Sequence, residues 1–153
     1  MNRKIHSQSE KGQSLTEFAL SLVFLFTLLA GVADFGRAFF AYIIIRDAAQ
    51  EGAVYGAIAD KEDINLLKVQ VEDRVKTAFR NPTDPSNIPI DIDSLQVTTT
   101  IVGDACAGPG NGVRVTVDYA IPITTPFLGT ILGSQEIPMS TSIEDTILSP
   151  LCP

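Results

Sequence analysis

Between Glu17 and Asp34 the chain carries no charge: residues Phe18 to Ala33 read Phe-Ala-Leu-Ser-Leu-Val-Phe-Leu-Phe-Thr-Leu-Leu-Ala-Gly-Val-Ala. A chain of 153 residues has room for one small domain, and such a domain has little interior in which to hide a run apolar on every side. The run therefore needs a bilayer or a bundle of similar helices. As a helix it would be about 24 Å long at 1.5 Å per residue, against a hydrocarbon core of about 30 Å. Adding Leu15 and the residues around Glu17 brings it close. No other stretch is apolar enough to cross, so the chain is single-pass at most. The first proline is Pro82, so nothing in the backbone chemistry stops the helix at the end of the run.

Charge is distributed in two parts. Residues 1–12 hold Arg3, Lys4 and Lys11 against Glu10, a net of +2, and the remainder carries −9 of the total −7. A basic leader ahead of an apolar run is a membrane-insertion signature in which the positive end stays cytoplasmic. The acidic remainder offers no electrostatic footprint for nucleic acid.

The junction between leader and run is Gly12-Gln13-Ser14-Leu15-Thr16-Glu17-Phe18. A glycine, four residues, then a glutamate at the edge of a hydrophobic helix resembles the type IV prepilin signal. That resemblance implies cleavage by prepilin peptidase between Gly12 and Gln13, with Glu17 fifth in the mature chain. Glycine lets an extended backbone enter a tight cleft. A carboxylate at the start of an apolar helix is costly without a partner, and in pilin-like assemblies that partner is a mature N-terminal amine. A rival reading is an ordinary secretory signal, cut after the small residues Gly31-Val32-Ala33 to release a domain beginning at Asp34. Against it, Glu17 opens the supposed apolar core and the helical pattern runs on past Asp34. An uncleaved anchor is the third possibility.

Beyond the run, Asp34 and Arg37 stand three apart and can pair on one helix face near the membrane edge. Ala48, Gly52 and Gly56 recur every fourth residue as a stripe of small side chains. Another backbone can approach such a stripe closely, but packing on the protein's own sheet is the simpler use. Gln13 to Leu20, Asp34-Phe35-Gly36-Arg37-Ala38, and Ala48 to Ala57, taken in that order, resemble the N-terminal signature of TadE-like proteins, pseudopilins of the tight-adherence (Flp) pilus system. The likeness spans residues 12–57. It implies a minor pilin processed by the major pilin's peptidase. Its partners would be the inner membrane, prepilin peptidase, other pilins and the Tad assembly platform. The C-terminal domain would lie outside the cytoplasm.

The segments implied are a leader (1–12), a transmembrane and assembly helix (13–33) and an exported domain (34–153). In the last of these, Ile64, Leu67, Val71, Val75 and Phe79 predict a second helix over 61–80. Asp60 would be its N-cap, Glu62 and Asp63 would lie in its first turn, and Lys76 and Arg80 in its last. A proline-rich connector follows. Alternation predicts strands over 95–102, 113–119 and about 137–147, with 121–133 as a linker holding Pro122, Pro126 and Gly129. The expected class is α+β: a long N-terminal helix and a second helix packed on a three- to four-stranded antiparallel sheet, as in pilin-like subunits.

Little points to catalysis. The one histidine, His6, lies in the leader, and no metal-ligand spacing, phosphate loop or nucleophile with a nearby base occurs. No cofactor or metal is expected. Asp91 and Asp93 read as a solvated turn, with a weak Ca²⁺ contact as the lesser alternative. Cys106 and Cys152 permit one disulfide if this part is exported; two unpaired thiols are the alternative. Two functional readings follow: a pseudopilin built into a Tad-type pilus, or a membrane-anchored or secreted adhesive module that assembles into nothing.

Overall fold

A computed structural model describes residues 10–59, 63–79, 90–125 and 128–149. Helix α1 is a single continuous helix, Glu10–Ile58. It runs through the Gly12–Gln13 junction without a break. Among the described residues the large apolar side chains of its N-terminal half are mostly exposed. From Asp34 onward one face turns inward. Asp34, Ala38, Ala41, Ile45, Ala48, Ala49, Ala53 and Ala57 are buried, steps of three and four, with Ala48 and Ala49 adjacent, that keep to one side of a 3.6-residue helix. Nearly all are small, which lets the helix axis lie close to what it covers.

Helix α2, Ile64–Ala78, packs beside it through Leu67, Val71 and Val75. Its N-cap is Asp63, whose carboxylate accepts from the amides of Asn65 (2.9 Å) and Leu66 (3.2 Å). Asp63 is thus the cap and not a first-turn residue, and the helix starts later than Asp60 would place it. Ile64, expected on the apolar face, is exposed; it is the first residue of the helix. Asp60, Glu62 and Arg80 lie outside the described residues.

The sheet has three strands among the described residues, β1 (Gln96–Val102), β2 (Gly112–Pro122) and β3 (Glu136–Thr146), in the order β1-β2-β3 with both pairs antiparallel. Central β2 sends Val113, Val115, Val117, Tyr119 and Ile121 into the core against the helices, while Arg114 on the opposite face pairs with Glu144 of β3 at 2.7 Å. Each fully buried aliphatic side chain contributes roughly 1.5–3 kcal/mol. The linker expectation over 121–133 needs correction. Strand β2 runs on to Pro122, where its last residue no longer needs an inner-ladder donor. A short helix, α3 (Leu128–Leu132), then precedes β3. Ile92–Ser94 form a 3-10 turn capped by Asp91, whose carboxylate accepts from the amide of Asp93.

The direction of β2 positions everything below. Val113 lies against Gly56, and Thr124, just past the strand, reaches Asp34. Eleven strand residues at about 3.3 Å and twenty-two helix residues at about 1.5 Å both come to roughly 35 Å. Strand and helix therefore run side by side for the full length of the head, and the strand's end arrives at the apolar half of α1. At the opposite end the chain after β3 satisfies α1's last turn, with the amide of Leu148 donating to the carbonyl of Ala57 at 3.0 Å.

Candidate functional site

Three groups of residues on α1 are candidates, and they sit at successive heights along it. At the N-terminal end, Gly12 lies within the helix with open space around it. One turn on, the side-chain amide of Gln13 donates to Glu17 Oε1 at 3.0 Å, so the two residues share a face. Beyond them every large apolar side chain from Leu15 to Val32, Leu22 apart, is more than half exposed. The hydroxyls in this stretch are turned onto the helix itself: Ser21 donates to the carbonyl of Glu17 and Thr27 to that of Val23, both at 2.9 Å. That is how Ser and Thr hide a donor where no water is available. The helix is long and apolar enough to be a single-pass membrane anchor.

At the middle height sits Asp34, only 5% exposed. Its Oδ2 accepts from the backbone amides of Thr124 (3.1 Å) and Thr125 (2.7 Å), and its Oδ1 accepts from the Thr124 hydroxyl (2.5 Å). Arg37 completes the group, 3.3 Å from Oδ1 and donating at 2.9 Å to Thr124 Oγ1. Asp34 and Arg37 do pair, but the pair is the smaller part of the arrangement. The carboxylate chiefly holds the loop that follows β2. The Thr124 hydroxyl above all, with the two backbone amides, holds the Asp34 carboxyl down at about 2, below its ordinary 3.8, against the opposing effect of burial. The Thr125 hydroxyl adds to this by proximity, although it is itself buried without a hydrogen-bond partner. No spacing rule finds Thr124 and Thr125 some ninety residues away. The signal available was a lone carboxylate ending an apolar run, which must have a partner from somewhere.

At the upper height the stripe of Ala48, Gly52 and Gly56 is buried within the protein itself. A Cβ on Gly52 would fall 2.5 Å from Val75 Cγ2, and one on Gly56 would fall 2.8 Å from Val113 Cγ1. The stripe seats α1 on α2 and β2, and is not open to a neighbour. Arg74 and Glu51 add a half-exposed ion pair across the α1–α2 seam.

Cys106 lies in the β1–β2 turn, where its carbonyl accepts from Asn111 Nδ2 at 3.1 Å. It is disulfide-bonded. Cys152, the chain's other cysteine, lies outside the described residues. Among the described residues no group of His, Cys, Asp and Glu is placed to hold a metal ion.

A long apolar helix whose outer half carries a small α+β head defines a class: proteins anchored, or bundled, through their N-terminus. Comparison narrows it. Residues 12–54 match the family model described as TadE-like protein, so over that segment, somewhat more than a quarter of the chain, the sequence is similar to that family. The match takes in the Gly12–Glu17 junction, Asp34, Arg37, Ala48 and Gly52, and ends just short of Gly56. It supports a protein associated with the Tad pilus. No curated protein and no solved structure matches the chain.

Proposed function

We propose that the chain is a pseudopilin, cleaved by prepilin peptidase between Gly12 and Gln13, held in the bacterial inner membrane by α1 with its head outside the cytoplasm, and built into a Tad-type pilus as a minor structural or assembly component without catalytic activity. The observation that carries this reading is the Gln13–Glu17 contact at the start of an otherwise bare apolar helix. Cleavage would turn the Gln13 nitrogen into an amine one helical turn from the Glu17 carboxylate. Paired with that amine, in its own chain or a neighbour, the carboxylate would no longer sit uncompensated in an apolar bundle. Helix α1 runs through Gly12, so the peptidase must unwind the first turns. A glycine eases this by about 1 kcal/mol relative to alanine.

Two variants test the reading in the native host. Gly12→Leu should leave the full-length chain uncleaved, visible as an unchanged intact mass. Glu17→Ala should be cleaved as usual yet fail to enter the pilus. Normal maturation of the first variant would remove the assigned cleavage point. Normal piliation with the second would remove the assembly role of the carboxylate and favour an anchored module that does not assemble.

A further inference from the structure

Strand β2 delivers its exit loop to the apolar half of α1, and what the chain does there has no part in the function proposed above. From Tyr119 to Gln135 the sequence has no charge, and Asp118 and Glu136 close the gap on either side. The loop is tied at its base. The amide of Ile123 donates to the carbonyl of Gln135 at 2.8 Å, and Asp34 grips Thr124 and Thr125. Past this clamp α3 lies beside the apolar run. Leu128 lines a groove whose other wall is Phe24, Thr27, Leu28, Gly31, Val32 and Phe35. The centre of that wall lies about 7 Å N-terminal to Asp34 along the helix. At the tip, Ile131 is 78% exposed, the highest value for any large hydrophobic among the described residues, and Leu132 follows at 59%. Gly133, at φ +73°, turns the chain back into β3.

An apolar tip at this height, next to side chains that themselves require a bilayer, has an obvious neighbour. We propose that α3 is a second membrane contact, a wedge whose Ile131 and Leu132 enter the acyl region of the leaflet on the head's side while Leu128 covers the flank of α1. The proposal rests on α1 spanning the bilayer. The groove wall that Leu128 faces is centred about 7 Å below the clamp along α1, and with Asp34 at the membrane edge this falls within the roughly 5–10 Å over which apolar faces are buried at the headgroup–acyl boundary. The groove is continuous with the spanning helix, so acyl chains that surround α1 also fill it. The clamp fixes the wedge's height, because Thr124 and Thr125 are bonded to Asp34, the first charge after the apolar run. Contact at two points would hold the head at a set tilt over the membrane, where a helix alone would let it swing.

The chain contains no tryptophan, so single tryptophans in the full-length protein, reconstituted in phosphatidylcholine vesicles, report each site separately. Three variants are compared: Ile131→Trp at the wedge, Phe26→Trp in the middle of the apolar run, and Thr100→Trp on the exposed face of β1 at the far end of the head. Lipids brominated along the acyl chain should quench the first two and leave the third unaffected. Bromines near the headgroup should act most on Ile131→Trp, and those near the chain end most on Phe26→Trp. Aqueous acrylamide should quench only Thr100→Trp strongly. If Phe26→Trp responds to bromolipid and Ile131→Trp does not, the wedge is refuted while the anchor stands. Shielding of Ile131→Trp from both quenchers would also refute it, pointing to burial by a second copy. If neither responds, the spanning helix and the wedge fall together.

Discussion

Replacing Asp34 by alanine should destabilise the head by about 2–4 kcal/mol, the cost of unpairing one buried amide donor and losing the charge-assisted hydrogen bonds from Thr124. The variant leaves the amides of Thr124 and Thr125 and the Thr124 hydroxyl without their acceptor; Thr125 is buried, so its amide alone costs about 1–3 kcal/mol when unpaired. For a head of this size the thermal midpoint, measured on the detergent-solubilised chain, should fall by roughly 10 °C or more. Arg37→Ala provides the contrast. Its side chain is 47% exposed, so it should cost less than about 1 kcal/mol. Equal effects of the two substitutions would mean that the ion pair, and not the grip on the loop, is what matters. The pH dependence has a definite sign. Asp34 has a folded pKa of about 2, below its ordinary 3.8, so its contribution is complete above about pH 5 and is lost as pH falls through 4 toward 2. That contribution is about 2 kcal/mol. The stability of the wild-type chain should fall by this amount more than that of Asp34→Asn as pH drops across the window. Parallel pH profiles for the two proteins would contradict the assignment.

Gly52→Leu should be nearly as damaging. On an isolated helix, leucine would be favoured over glycine by roughly 0.8 kcal/mol. Here even the first carbon of the new side chain meets Val75 Cγ2 at 2.5 Å, with Val71 and Val115 close behind at 3.5 and 3.6 Å. A valine has no flexible end to swing aside, so α1 must move off α2. Overpacking of this kind costs about 1–3 kcal/mol, occasionally more, and here it strikes the seam between both helices and the sheet. Gly36→Ala is the matching control. It sits on the same helix with nothing within 4 Å, and should be neutral or stabilising by up to about 1 kcal/mol. Thermal unfolding of the three chains in the same detergent checks the order. A Gly52→Leu protein as stable as wild type would show that the seam is not closely packed.

The elements that could be read from the sequence are those whose own side chains carry the period. Val113, Val115, Val117 and Tyr119 alternate strictly with polar residues, and β2 is where the alternation places it. Leu67, Val71 and Val75 do the same for α2. The apolar run and the junction at Gly12 and Glu17 declare themselves by composition and order, and the TadE-like match covers them. What could not be read was set by partners distant in the chain. Asp34 and Arg37 are three apart, so a local pair was visible. The stronger partners, Thr124 and Thr125, become neighbours only because β2 and α1 have matching lengths. Helix α3 is too short for any period to announce it, and the prolines and glycine around it read as a linker. The stripe at Ala48, Gly52 and Gly56 was legible as a close approach, but whether the approaching surface was its own or another's depended on where α2 and β2 lie. The N-terminal boundary of α2 shifted for a local reason: Asp63, the carboxylate nearest the first apolar turn, takes the cap.

The most direct test of the account is the intact mass and N-terminal sequence of the protein extracted from membranes of its native host. A membrane-bound chain that begins at Gln13 is the predicted result, since it requires a leader removed at Gly12, Glu17 at the mature fifth position, and an apolar half of α1 retained as anchor. A chain that begins at Asp34 and is recovered in the soluble fraction would contradict it, and so would a membrane-bound chain with the leader intact.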